Sequence, residues 1–158
     1  MPPGGGMTTQ PAVEITAHSR EVGIVSLRGE HDLSTWSEVA VALAAASSRP
    51  QILVDLSACT FVDSSVMSAL FVASQNLRER NGVLELVIPP QAHAIRRTFE
   101  AMHAGSILTI HETLAAGIAS DEQHGQDAAR VAWPHARSVE DLRRDAQAAA
   151  AACPPEAA

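Results

Sequence analysis

The segment Ile52-Leu53-Val54-Asp55-Leu56 is a nearly unbroken apolar run, with Pro50 just before it and Ser57 just after. A strand that is apolar at consecutive positions has no polar face to offer water, so both of its faces must be covered. This run therefore reads as the middle of a sheet. The material for packing around it is restricted: the chain has 29 alanines, no tyrosine, and only Trp36, Trp133, Phe61, Phe71 and Phe99 as aromatics. Its core must be aliphatic.

Around that strand the pattern is regular. Val13 to Ala17 and Val22 to Leu27 alternate as strands joined by a turn at His18 to Glu21,. Thr35-Trp-Ser-Glu38 has the spacing of a capping box, and the helix it opens runs to about Ala46,. Past the central strand, Val66, Ala69, Leu70, Ala73 and Leu77 follow helical spacing from about Ser64, and Asn81-Gly82 supplies a left-handed stop,. Val83 to Ile88 is the next strand, Ile95, Phe99 and Met102 mark a third helix, Ile107 to His111 a last strand, and Glu112 to Ala119 a last helix. The predicted order is β-β-α-β-α-β-α-β-α, an α/β domain with a mixed sheet and packed helices over residues 12–120.

The Pro- and Gly-rich residues 1–11 are expected to be disordered, and residues 121–158 to form a polar linker and an Ala-rich tail,. In that tail Val139, Leu142, Ala146, Ala149 and Cys153 keep a helical step. Alanine buries little area, so the tail reads as a frayed helix on a tether,.

Charge and hydropathy remove several function classes. A formal charge of -7 opposes binding to nucleic-acid phosphates, and the adjacent arginine pairs Arg96-Arg97 and Arg143-Arg144 sit among acids,. The longest apolar run, Val39 to Ala46, holds 8 residues, far short of the roughly 20 that span a bilayer,. No basic region followed by an apolar stretch opens the chain, so it reads as cytoplasmic,. Cys59 and Cys153 lack metal-ligand spacing, and the 7 histidines share no i, i+4 pair,. His31 between Glu30 and Asp32 reads as a surface turn, and no metal is expected.

Catalytic motifs are scarce. Val62-Asp-Ser-Ser-Val66 lacks both glycines of a nucleophile elbow, which weakens a serine-hydrolase reading with His31 as base,. No Gly-rich loop follows a strand to cradle a nucleotide,. What remains is Asp63-Ser64-Ser65 at the start of a helix directly after the central strand. Asp63 or Ser64 can serve simply as a helix cap. A hydroxyl there also lies near backbone amides and the positive end of the helix dipole, which suits Ser64 to carry phosphate.

The stretch Leu53-Val-Asp-Leu-Ser-Ala-Cys-Thr-Phe-Val-Asp-Ser-Ser strongly resembles the signature of STAS domains, the anti-sigma factor antagonists of bacteria, and Leu27-Arg-Gly-Glu-His-Asp32 looks like that family's Gly-Glu-x-Asp turn. The likeness runs from Val13 to about Ala119 and includes the element order. It implies a STAS fold and phosphorylation at Ser64, with Asp32, Asp63, Ser65 and Val66 around the phosphosite. Val66 stands where the family usually has glycine, and so does His103 after the third helix. A valine at position 66 either packs inward or obstructs a partner's backbone.

The resemblance implies a non-enzymatic partner switch. The unphosphorylated domain binds an anti-sigma factor that is also a serine kinase, freeing a sigma factor; phosphorylation of Ser64 releases the domain and a phosphatase resets it. ATP would be used by the partner kinase, and no cofactor is expected on this chain. The alternative is a constitutive STAS scaffold or transporter-associated module that phosphorylation does not control.

Overall fold

The computed structural model describes residues 10–120 together with Arg144 and Gln147, both helical and exposed. Most of the Pro- and Gly-rich start and the rest of the Ala-rich tail lie outside the described residues. The strands are β1 (Ala12–Ala17), β2 (Val22–His31), β3 (Gln51–Val62), β4 (Val83–Val87) and β5 (Thr109–His111). The helices between them are α1 (Trp36–Ala46), α2 (Ser64–Arg78) and α3 (His93–Ala101), with one 3-10 turn at Ala104–Ser106. Residues 114–120 are helical as well and are labelled α4.

The sheet order is β1-β2-β3-β4-β5, with β1 antiparallel to β2 and every later pair parallel. Three successive parallel crossovers of the usual right hand, all moving in one direction, must leave their helices on one face of the sheet. The side chains show this. Val25, Leu27, Ile52, Val54, Leu56, Leu84, Leu86 and Ile88 form one core with Val39 and Leu43 of α1, Met67 and Leu70 of α2, and Ile95 and Phe99 of α3. The alternate positions Val22, Ile24 and Leu53 form a second, smaller cluster under Leu114 and Ile118 of α4. The apolar run 52–56 is thus covered on both faces, and Phe99 is the only aromatic among the largest fully buried side chains.

Several sequence expectations need correction. β2 and β3 are longer than their apolar segments: β2 continues past Leu27 to His31, and Ser57 to Thr60, beyond the apolar run, are still strand. Their pairing survives because two register shifts, between Ser26 and Arg28 and between Gly29 and Glu30, absorb the mismatch, and Gly29 takes φ 77° there,. The Gly-Glu-x-Asp segment is therefore a bulged strand end, with the turn beginning only at Asp32. His31 is buried at that strand end and not on a surface turn.

Thr35 does stand at the start of α1, but no capping box forms. Its hydroxyl accepts the Asp32 N–H at 3.2 Å and makes no cap bond. Met102 falls just beyond α3 and is exposed, because the chain turns there. The predicted stop of α2 is present: Asn81 has φ 59°, and the Gly82 N–H donates to the Leu77 carbonyl at 2.7 Å.

His103 has φ 52°, a left-handed conformation that an L side chain adopts at a cost and glycine does not,. Gly29 is the reverse case. We expect His103→Gly to raise the melting temperature by roughly 4 °C and Gly29→Ala to lower it by at least as much, as each changes stability by about 1 kcal/mol. Thermal melts followed by circular dichroism check both signs.

Candidate functional site

The paired ends of β2 and β3 set two loops side by side. His31 is in register with Val62, and the Asp63 N–H donates to the His31 carbonyl at 3.1 Å. One residue further on, both strands end: β2 in the turn at Asp32 and β3 in helix α2.

Asp63 is the N-cap of α2. Its Oδ1 accepts the Ser65 N–H at 2.9 Å, the Val66 N–H at 3.1 Å and the Ser65 hydroxyl at 2.5 Å. Its Oδ2 reaches across to accept the Leu33 N–H at 3.1 Å. One carboxylate thus caps the helix and ties down the neighbouring loop. Burial opposes ionisation of Asp63, but the bonds from the Ser65 hydroxyl and from the Val66, Ser65 and Leu33 amides outweigh it and hold the carboxyl below its ordinary value,.

The 32–35 turn has its own network. Asp32 Oδ1 accepts from the Ser34 hydroxyl at 2.5 Å and the Ser34 N–H at 2.8 Å. These bonds, the hydroxyl foremost, lower the pKa of the exposed Asp32. Behind the turn, the His31 ring lies 2.9 Å from the Arg28 carbonyl through Nε2 and 3.2 Å from the Thr35 hydroxyl through Nδ1. A carbonyl can only accept, so Nε2 carries the proton in that bond.

Ser64 is the first residue of α2 and is exposed. Its hydroxyl makes no hydrogen bond among the described residues, while its carbonyl accepts from the Ser68 hydroxyl at 2.9 Å. Ser65 is half-buried with its hydroxyl on Asp63. Val66 is fully buried in the main core. The valine in the glycine position therefore packs inward.

Asp63, Ser65 and Val66 form one cap around Ser64, and Leu33 joins the Asp32 turn to it. Asp32 itself makes no bond to Asp63 or Ser64 among the described residues. Of the amides at this helix start, Asp63 holds those of Ser65 and Val66, while the Ser64 N–H is unbonded among the described residues. His31, weighed as a base, has both ring nitrogens engaged and no bond to Ser64. Cys59 is buried, and burial pushes its thiol up to about 11, so it stays protonated at neutral pH,.

Sequence reasoning missed two residues. Leu33 is 72% exposed and Phe61 is 48% exposed, and they belong to the two segments that meet at the Asp63 cap. Leu33 is set there by the Asp63 bond to its amide, and Phe61 by its place opposite Glu30 three residues before Ser64. The available signal was an apolar residue inside the polar stretch His31 to Thr35.

The family model described as "Mlab, STAS domain" matches residues 15–109, well over half of the chain. The chain belongs to the STAS family. Among solved structures, this STAS domain is similar to an anti-sigma factor antagonist from Mycobacterium paratuberculosis, with 25% identity and a TM-score of 0.62 over 70% of this chain and 92% of that one. It is also similar to the anti-sigma factor antagonist SpoIIAA in its unphosphorylated form, with 21% identity and a TM-score of 0.60 over 72% of this chain and 97% of that one. The phosphorylated form of SpoIIAA from Bacillus matches at 20% identity and a TM-score of 0.55, over 69% of this chain and 98% of that one. At such identities the two SpoIIAA structures attest to the fold alone. No curated protein matches the sequence. Among the described residues no helix is long and apolar enough to cross a membrane.

Asp63→Ala removes the cap and the Leu33 tether together and should cost about 1–2 kcal/mol at pH 7. Because folding lowers the Asp63 pKa, its contribution is complete above the ordinary carboxyl value of about 3.9 and drains away as the pH falls below that through the folded value. Urea unfolding of wild type and variant should therefore differ at pH 7, and the gap should narrow as the pH falls below the ordinary carboxyl range.

Proposed function

We propose that this STAS domain is an anti-sigma factor antagonist that works by partner switching, with Ser64 as its phosphorylation site. The observation that carries the reading is the exposed Ser64 hydroxyl, unbonded among the described residues, beside the neighbouring Ser65 hydroxyl that Asp63 holds. Of two adjacent serines, only the first is open to a kinase. The likeness to the mycobacterial anti-sigma factor antagonist supports the role.

The surroundings favour docking of a protein partner. Leu33 and Phe61 place exposed apolar surface on the two segments that meet at the Asp63 cap, while Glu30, Asp32 and Asp63 supply negative charge. A matching partner presents apolar pockets rimmed by arginine or lysine. Unmodified, the domain binds an anti-sigma factor that is also a serine kinase and so frees the sigma factor. That kinase uses ATP to phosphorylate Ser64, and a phosphatase removes the phosphate. The domain itself is regulatory and not catalytic, and it takes no cofactor.

A phosphate adds roughly -1.5 to -2 charges next to Asp63 and close to the apolar anchors. Desolvating that charge in the interface opposes docking, and a penalty of about 3 kcal/mol corresponds to roughly a hundredfold in affinity. The direction of the switch follows from this sign.

The partner can be recovered from cell extract with the unmodified domain as bait, then purified and incubated with the domain and ATP. Label should enter wild type and Ser65→Ala but not Ser64→Ala, and the phosphorylated domain should bind its partner about a hundredfold more weakly. Labelling of Ser64→Ala would overturn the site assignment. Equal binding by wild type and Ser64→Asp, with no label transfer, would favour the constitutive scaffold.

The anchors give an independent check. Leu33→Ala should weaken partner binding at least tenfold by titration calorimetry, with stability within about 0.5 kcal/mol of wild type, because its side chain is largely exposed.

A further inference from the structure

Two segments meet at the Asp63 cap, residues 32–35 and 63–68, and together they carry five hydroxyl side chains. Four of these are engaged within the domain. The Ser34 hydroxyl donates to Asp32 Oδ1 and the Ser65 hydroxyl to Asp63 Oδ1, each at 2.5 Å. The Ser68 hydroxyl donates to the Ser64 carbonyl at 2.9 Å, and the Thr35 hydroxyl lies 3.1 Å from the Asp32 carbonyl and 3.2 Å from His31 Nδ1. Of the five, only the Ser64 hydroxyl makes no bond among the described residues.

Asp32 and Asp63 act alike. In each, the same Oδ1 also takes the N–H of the serine two residues on, at 2.8 Å and 2.9 Å. Hydroxyl and amide of one serine thus converge on one oxygen, which fixes the side chain as well as the backbone. A hydrogen bond to an ionised carboxylate is among the stronger ones a hydroxyl makes. Burial alone separates the adjacent serines less sharply, since Ser65 is only half-buried.

Phosphoryl transfer needs an acceptor oxygen free to turn toward the nucleotide. The Oγ–P bond forms as the bond from the γ-phosphorus to the ADP oxygen breaks, and the hydroxyl proton leaves to a base on the kinase. A carboxylate that holds a hydroxyl can itself serve as such a base, but Asp63 is poorly suited to it. Burial raises its pKa, yet the bonds from the Ser65 hydroxyl and from the Val66, Ser65 and Leu33 amides lower it more, and a carboxyl held below its ordinary value is a weak base,. A phosphate on Ser65 would also stand against the Asp63 carboxylate, negative group beside negative group.

We propose that Asp63 selects which serine is phosphorylated: by holding the Ser65 hydroxyl it withholds that oxygen from the kinase and leaves Ser64 as the acceptor. The inference rests on the reading of the domain as a kinase substrate and adds to it the determinant of the modified hydroxyl. Asp63 is a positioning residue in this role, acting through Ser65.

The test compares the label on Ser64 and Ser65 by tandem mass spectrometry after incubation with the partner kinase and ATP. Both serines sit on one chain, so weaker docking or lower stability reduces both and leaves their ratio unchanged. Wild type should carry its label on Ser64. In Asp63→Ala the share on Ser65 should rise roughly tenfold or more, the order that a hydrogen bond to a charged group contributes. Asp63→Ala/Ser64→Ala should take label that Ser64→Ala does not. Asp63→Gly, a tolerated helix start without the carboxylate, replaces Asp63→Ala if the latter does not fold.

Asp63→Asn keeps an acceptor for the Ser65 hydroxyl and both amides but loses the bond to Leu33, because its amide nitrogen is a donor. It should label on Ser64 as wild type does, which separates the hold on Ser65 from the tether to Leu33. Label on Ser64 in wild type, with none on Ser65 once the carboxylate is removed, would overturn the inference and leave the proposed function standing. Absence of label from Ser64 in wild type would defeat that function instead. The hold on Ser65 is then read without a kinase: by low-temperature NMR its hydroxyl proton should exchange with water roughly tenfold more slowly in wild type than in Asp63→Ala, and equal rates would overturn the inference.

Discussion

The parallel pairing of β2 with β3 is the constraint on which the rest of the structure depends. Over its lower half this pair is an ordinary buried ladder, with Ile24 against Leu53 and Val25 against Val54. Past that point the sequence turns polar, and pairing continues only because Gly29 in the left-handed region absorbs a shift of register,. The extension carries little of the core. It delivers His31 opposite Val62 and so fixes where the Asp32 turn and the Asp63 cap meet.

From that meeting point the local chemistry follows in order. Asp63 holds the Ser65 and Val66 amides of the first turn of α2 and spends its remaining oxygen on Leu33, so a single carboxylate decides both the helix start and the position of the adjacent loop. Valine at position 66 suits this arrangement, since its side chain turns down into the core with Met67 and Leu70 and leaves the outer surface to Ser64 and Ser68.

The fold was legible because its signals are periodic. The apolar run 52–56, the stripe from Val66 to Leu77 and the Asn81-Gly82 stop each act within a few residues, and each appears where expected. The errors share a cause in contacts that spacing and composition do not show. Thr35 has the spacing of a capping box, but His31 and Asp32 engage its hydroxyl. Ser57 to Thr60 look like a loop by composition, yet a neighbouring strand pairs with them. At the site, Asp63 and Ser64 could be read from type and position, whereas the exposure of Leu33 and Phe61 depends on a bond spanning 30 residues and on strand register. Nothing in the sequence signals that Gln51, His111 and Ser120 gather around the buried Glu85 carboxylate, since they meet only in three dimensions.

The Asp63 cap has a consequence for how a modification at Ser64 could be read. A helix start with open amides would draw a phosphate inward, and the domain would rearrange around it. Here Asp63 already holds the Ser65 and Val66 amides and leaves only that of Ser64 itself, so a phosphate on Ser64 would stay largely hydrated above a little-changed first turn. The domain would then carry its mark as a label: its own shape would store almost nothing, and discrimination between the two states would fall to whichever surface comes to read it.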